Sequence, residues 1–475
     1  MKTALRHNLP RRRRGATAIL AMLYLVLFST LALGFYASTT TAVQVSHNDG
    51  QVSRAFLASE SGLEFMRYHL ERVSIPPTTT GAASTTELAN DLAERLEDTG
   101  NMPGLTVGAS GTVITIPAEP NAYIKLDSSG NAGFRATITD WPEQGKVVLK
   151  VVGRYGTTTV ARAIQMDFTR VPKETSIFDH AVASKGQIVV KKNAVTSLDP
   201  NNAHQATMMS AMLTHPSILV TGGSIGGKLT ILDDPTTVGA DSSVTITGGS
   251  VAGESNATTA LDQHVSTVTT PPEFPYFDTE PYRAFTSGTS TGASSHATLK
   301  NVRVPAGSNP NFNGGATIQG ILYIESPNEV TINGNLNLNG FIVFEGAGDT
   351  STNALKISGN MTTGPLPSSA EFDAIRAASG VAILAPTTNL LMSGNAKGTL
   401  KGNVIVGSVA TSGNPADIII DHGTLVVMDE TPNSAVFDGK TIKFNGTGAN
   451  NLPKVGMTFA QAYDPEPESY EELLP

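Results

Sequence analysis

The carboxylates that could do chemistry fall in two places. Asp233 and Asp234 stand together before Pro235. Asp417 and Asp421 bracket three isoleucines in DIIID, with His422 and Gly423 next. Alternate residues of a strand share a face, so Asp417 and Asp421 can point the same way. Clustered carboxylates, or a basic residue with a calcium site, on one face are what glycan cleavage requires. The pair at 233–234 reads as a turn, however, and no N-x-D, G-H-G or R-x-K set accompanies the second cluster. No catalytic residue is assigned. The chain has no cysteine, which removes disulfides, thiolate metal sites and a cysteine nucleophile. Its Gly-rich stretches do not have the spacing of a phosphate cradle. No cofactor and no metal site are expected. A formal net charge of −9 argues against a nucleic-acid partner, which would favour a basic face.

Two aromatic features remain as candidates. The segment PPEFPYFDTEPYRAF (271–285) gathers aromatics, prolines and acids. It could stack on a sugar or dock a partner. The reading taken is a loop pinned by its own aromatics. Trp141, the one tryptophan, is expected as a core anchor.

The elements that would position these groups follow from patterning. The 475 residues allow two or three domains, and only 15% are charged. Hydrophobic residues make up 40%, too many for disorder, and 46 glycines suit a turn-rich β protein. Residues 1–15 carry Lys2, Arg6 and Arg11 to Arg14 and no acid. Ala16 to Ala37 holds no charge and is long enough to span a bilayer. The arginine cluster should stay cytoplasmic, sending the rest of the chain outside. The alternative is a removable secretory signal, with an unusually long apolar region and a poor cleavage pattern. Beyond the apolar run, Val52, Phe56, Leu63, Met66, Leu70 and Val73 keep helical spacing until Pro76 and Pro77. One helix over 16–73 is expected; an anchor followed by a separate short helix stays open.

RRRRGATAILAMLYLVLFSTLALGFYAS and then SRAFLASESGLEFMRYHL resemble the PilX-type N-terminal domain of pilus assembly proteins. The resemblance covers roughly residues 11–73. It is carried by Arg54, Ala55, Phe56, Ala58, Glu60, Gly62, Leu63 and Glu64, with Ser59 and Ser61 replacing alanines. It implies a type IV pilin-like protein, either a minor pilin or a related assembly component of a pilus or secretion machine, with the membrane, other pilin-like subunits and the assembly machinery as partners. It implies leader cleavage between Gly15 and Ala16, and subunit contacts through Phe56, Glu60 and Leu63. Ala16 stands where phenylalanine is usual, and Leu20 where glutamate is usual. Both departures bear on processing and on filament formation.

Residues 74–172 are expected as a small α+β module. Its helix lies at 85–98, and its strands at 112–116, 123–126, 134–139, 146–153 and 157–168, the last two flanking GRYG as a hairpin. PilX-type proteins show a pattern like KVVLKVVGRYGTTTVARAIQMDF in this place. Past residue 175 a short motif recurs: LVTGG (219–223), ITGG (246–249), INGN (332–335), ISGN (357–360), MSGN (392–395) and a weaker FNGT (444–447). Gly222 to Gly248 is 26 residues, Gly334 to Gly359 is 25, and Gly359 to Gly394 is 35 with a helical insert. Gly394 to Gly446 is 52, twice 26. Spacing near 25 fits rungs of a right-handed parallel β-helix over 175–462; a β-sandwich with regular hairpins is the competing fold. The acidic end, 463–475, is expected to be a mobile tail. The fold class is thus mainly β with a long N-terminal transmembrane helix. The leading function is a non-enzymatic, membrane-anchored pilin-like component displaying its β domain outside the cytoplasm. The alternative is an anchored surface protein that binds or cleaves glycans.

Overall fold

The computed structural model describes residues 14–77, 79, 81–97, 100, 102–156, 160–173, 175–199, 201–214, 216–232, 243–269, 271–292, 297–314, 316–414 and 416–473. The leader up to residue 13 and Asp233, Asp234 and Pro235 lie outside these. The protein is mainly β with a long N-terminal apolar helix, and its chain divides into two compact units. Unit 1 comprises Met1–Ile75, Thr79–Val171 and Ala462–Pro475; unit 2 comprises Pro76–Thr78 and Pro172–Gln461.

In unit 1, α1 (Arg14–Leu70) runs unbroken for 57 residues, about 86 Å at ~1.5 Å per residue. Residues 17–50 are exposed along their whole length, whereas Ala55, Ala58, Leu63, Met66 and Leu70 are buried. The apolar part of α1 is long enough to cross a membrane. The buried stripe of α1 and helix α2 (Ala82–Leu96) pack on one sheet. Its strands β1 (Gly108–Ser110), β2 (Val113–Ile116), β3 (Ile124–Lys125), β4 (Ala132–Trp141), β5 (Lys146–Tyr155) and β6 (Ala161–Pro172) pair antiparallel. The sheet order is β1-β2-β4-β5-β6, then the C-terminal strand Gln461–Leu473; β3 pairs with β4 off this path. Residues expected as a mobile tail therefore form the sheet's last strand.

Strand parity overturns the expectation for Trp141. Along β4, Phe134, Ala136, Ile138 and Asp140 are buried, and Arg135, Thr137 and Thr139 between them are half-buried. The inward position at the end of that series belongs to Asp140, so Trp141 is 48% exposed. Helix α2 also starts earlier than expected. Thr85, the expected first residue, is buried within it, and Gly81 precedes it at φ 58°.

In unit 2, every pairing between the strands of the largest sheet is parallel, and side chains stack in register from strand to strand. Val220 lies beside Ile246, Ile332 beside Ile357, and Ile357 beside Met392, matching the motif intervals of 26, 25 and 35. The 52-residue interval is not two equal turns. Met392 pairs with Thr411 and Thr411 with Phe437, offsets of 19 and 26, while Phe444 of FNGT pairs with Ile420 in a different column. Buried aliphatic residues from all these strands fill one continuous interior.

The spatial order of turns differs from the chain order. The column Thr289, Arg303, Tyr323, Val343, Leu384, Ile405, Val426, Ala183, Met209, Thr230, Ser266 is continuous from neighbour to neighbour. The chain thus enters in the middle, winds to one end at Val265–Val268, crosses to the far end at Gly288–Thr289 and winds back. Its last strands close on its first. Residues 271–285 make the crossing; Phe274, Phe277, Tyr282 and Phe285 lie in or against a second apolar cluster, while Tyr276 is exposed. Tyr282 is fully buried, edge-on to Phe341 at 5.7 Å, and its hydroxyl donates to Val455 O at 2.8 Å. The segment is the pinned loop expected of it.

Interior positions have no water to hydrate a charge. Ile332, 1% exposed, lies between Phe312 and Ile357 in its column. Ile332→Asp should destabilise unit 2 by about 3–5 kcal/mol, as an uncompensated buried charge does. A chemical-denaturation midpoint unchanged from the native chain would contradict this placement.

Candidate functional site

The resemblance-bearing segment of α1 forms a close helix–sheet seam. Ala55, Ala58, Ser59 and Gly62 recur at three- and four-residue spacing, which keeps one helix face thin. Opposite them, a Cβ on Gly153 would lie 2.2 Å from Ser59 N and 2.3 Å from Ala55 O. A Cβ on Gly62 would lie 2.4 Å from the Phe134 ring. At Gly153 the opposing atoms are backbone, which admits glycine alone; at Gly62 they belong to the Phe134 side chain, which would have to move.

The three expected contact residues differ in their placement. Leu63 is 4% exposed inside unit 1, and Phe56 is half-buried against the same core. Glu60 is half-buried and accepts a hydrogen bond from the Tyr470 hydroxyl at 3.2 Å. Burial and the Glu60 carboxylate push the Tyr470 hydroxyl up to about 12. The outward face of this half-helix carries Arg54, Leu57, Ser61, Glu64 and Tyr68. Arg54 donates to the Tyr155 hydroxyl at 2.8 Å. Gly15 and Ala16, expected to flank a cleavage point, lie in the first turn of α1.

A buried polar network ties the C-terminal strand to this core. Arg170 donates to Tyr463 Oη at 2.9 Å and also to Ser84 Oγ. Thr85 Oγ1 donates to Asp140 Oδ2 at 2.7 Å. Asp140 Oδ1 and Arg170 Nε are buried with no hydrogen bond. Burial pushes the Asp140 carboxyl above its ordinary range, against the pull of Thr85 and Arg170. Further along, Lys146 Nζ lies 2.9 Å from Asp167 and 3.0 Å from Glu466. Ser469 Oγ accepts from Asp167 N at 2.8 Å. Sequence reasoning missed this strand. Its prolines and acids masked it, and the available signal was the pair Tyr463 and Tyr470.

On the outside of unit 2, Asp417 and Asp421 do share one strand, Asp417–Asp421, with an isoleucine buried between each and the middle. At about 3.3 Å per residue they stand roughly 13 Å apart. Carboxylate pairs that flank one glycosidic bond are about 5–9.5 Å apart. Each also has its own partners. Lys443 Nζ is 2.7 Å from Asp417. His422 Nδ1 is 2.8 Å from Asp421, and Asn445 donates to Asp421 at 2.7 Å. His422 holds a left-handed backbone, φ 52°. Two open grooves of about 630 Å³ each adjoin this strand. Lys397, Thr399 and Asp417 line one; Lys401, Asp421, His422 and Arg376 line the other. Among the described residues no group of three or more His, Asp or Glu could hold a metal ion.

No family model matches the chain, and no curated protein does. Among solved structures it is similar to the crystal structure of competence-associated pilin ComZ from Thermus thermophilus. The identity is 12%, the match covers 90% of this chain and 98% of that chain, and the TM-score is 0.23.

The Asp140 site sets a pH dependence. Its folded pKa lies above the unfolded value near 3.8, so the folded state holds the proton more tightly. The stability this supplies is fully present below the unfolded pKa and is lost as pH rises through the folded one. Asp140→Asn should therefore raise Tm at pH 7 by a few degrees, about 1 kcal/mol, with the advantage disappearing near pH 3. An equal gain at both pH values, or a loss at pH 7, would contradict the assignment.

Proposed function

We propose that the chain is a membrane-anchored, type IV pilin-like component of a pilus or secretion machine, displaying unit 2 outside the cytoplasm. The observation that carries this reading is the division of α1. One unbroken helix is bare over residues 17–50, apolar in the earlier part of that stretch, and packs one face on an antiparallel sheet from Ala55 to Leu70. A mere anchor has no need of a helix continuing into a folded head. The wound parallel sheet of unit 2 is read as a right-handed β-helix, held by stacking and ladder bonds in a chain without disulfides. The arginines before α1 favour a cytoplasmic N-terminus, and Gly15–Ala16 is the leader-cleavage point by resemblance. With Leu63 buried and Glu60 engaged by Tyr470, lateral contacts of the outer half-helix fall to Leu57 and Tyr68, 58% and 53% exposed.

Glycan binding is the second reading, favoured by the two grooves beside Asp417 and Asp421. In this fold the carboxylates are tied to Lys443, His422 and Asn445, an arrangement that suits structure or binding better than cleavage.

A reporter active only outside the cytoplasm should work when fused after residue 475; activity of a cytoplasm-only reporter there would refute the topology. Leu57→Ala with Tyr68→Ala should weaken co-purification with pilin-like partners several-fold and leave Tm unchanged. Intact co-purification, together with polygalacturonate cleavage abolished by Asp417→Ala or Asp421→Ala, would replace this reading with the enzymatic one.

A further inference from the structure

The strands that open and close unit 2 are neighbours. Val426 lies beside Ala183, Ala435 beside Ile188 and Ile442 beside Val195. At the same end of the sequence span, Lys173 N donates to Ala460 O at 2.8 Å. The chain therefore enters and leaves unit 2 side by side, and the residue after that exit begins the C-terminal strand of unit 1.

Unit 1 needs that strand. Ala462 and Tyr463 are 4% and 0% exposed in its helix–sheet core, and Arg170 spends a hydrogen bond on Tyr463. Without the strand, β6 would keep an open edge and the core would lose a tyrosine. Bringing residue 461 to residue 172 across an unfolded insert carries the closure entropy of a very long loop. Once the last strands of unit 2 have closed on its first, the two positions are already adjacent and that cost has been met.

We propose that the C-terminal strand is a latch delivered by closure of unit 2, so that unit 1 is complete only in a chain in which the last strands of the insert have paired with its first. The device couples the anchored head to the folded state of the displayed unit. It follows from the order of turns, which places the first and last of them together in the middle of the stack rather than at its two ends. An insert whose first and last strands lay at opposite ends would hold residues 172 and 461 far apart and would need a long return.

The absence of cysteine from the sequence gives a direct test. Ala462→Cys places a single thiol in the full-length chain at a buried site of nearly matching volume. Its rate of labelling by a small maleimide reads whether the strand is docked. It should label slowly in the otherwise native chain. Adding Val427→Asp, in the closing strand beside Ser184, should accelerate labelling by about tenfold or more. Adding Ile231→Asp, beside the terminal strand Val265–Val268, should leave the thiol protected, because damage in a stacked array is local to its neighbours. Fast labelling in the native background would show that the strand is not held. Equal protection in all three chains would show that it docks without closure of unit 2. Equal exposure in both Asp variants would show that any damage to unit 2 frees it. Each of these three results overturns the latch.

Discussion

A strand in a parallel stack has two hydrogen-bonding edges, and both must be met. Val182–Ser184 meets one with Met208–Ser210, the next turn of the chain, and the other with Leu425–Val427, from the far end of the insert. The rest of the molecule depends on that second pairing. It fixes the order of turns and brings the entry and exit of unit 2 together. Side chains reinforce it: Thr424 donates to the carbonyls of Phe178 and His180, and Ser434 donates to Gln187 O.

Tight corners make the stacking possible. A Cβ on Gly359 would sit 2.0 Å from Gly334 O, and one on Gly423 would sit 2.0 Å from Gly402 O. Such corners leave carbonyls facing inward, and these need donors. Lys440, fully buried, donates to Gly394 O at 2.7 Å and Asn414 O at 2.8 Å, and burial pulls its ammonium below its ordinary value. Asn403 serves a neighbouring corner, accepting from Thr424 N at 2.8 Å and donating to Asn451 O at 2.6 Å. A chain without disulfides is thus held by ladders, an aliphatic interior and a few polar side chains spent on corner carbonyls.

The same economy shapes unit 1. Its helix and sheet approach so closely at Gly62 and Gly153 that the segment reading AFLASESGLE serves packing within the chain first. A motif can carry a resemblance because it solves a local steric problem. Of Phe56, Glu60 and Leu63, which the resemblance assigns to subunit contacts, Leu63 is spent inside the head; Leu57 and Tyr68, which it does not assign, stand outside. No periodicity distinguishes these two uses, since both faces of a helix in this position hold apolar residues.

The sequence by itself determined what is local. The long helix, its apolar first half and the strands of the small head were legible, because helical and strand periods are written in neighbouring residues. The motif intervals of 25, 26 and 35 were legible too, because successive turns of a stack are successive in the chain. Tertiary structure decided everything that joins distant segments. The 52-residue interval resolved into 19 and 26 with a change of column, since register follows from which backbones lie together. Trp141 surfaced because strand parity gave the inward place to Asp140. The acidic tail became a strand because β6 offered an edge. Edge pairing of this kind is a property of two backbones, and no single stretch of side chains encodes it.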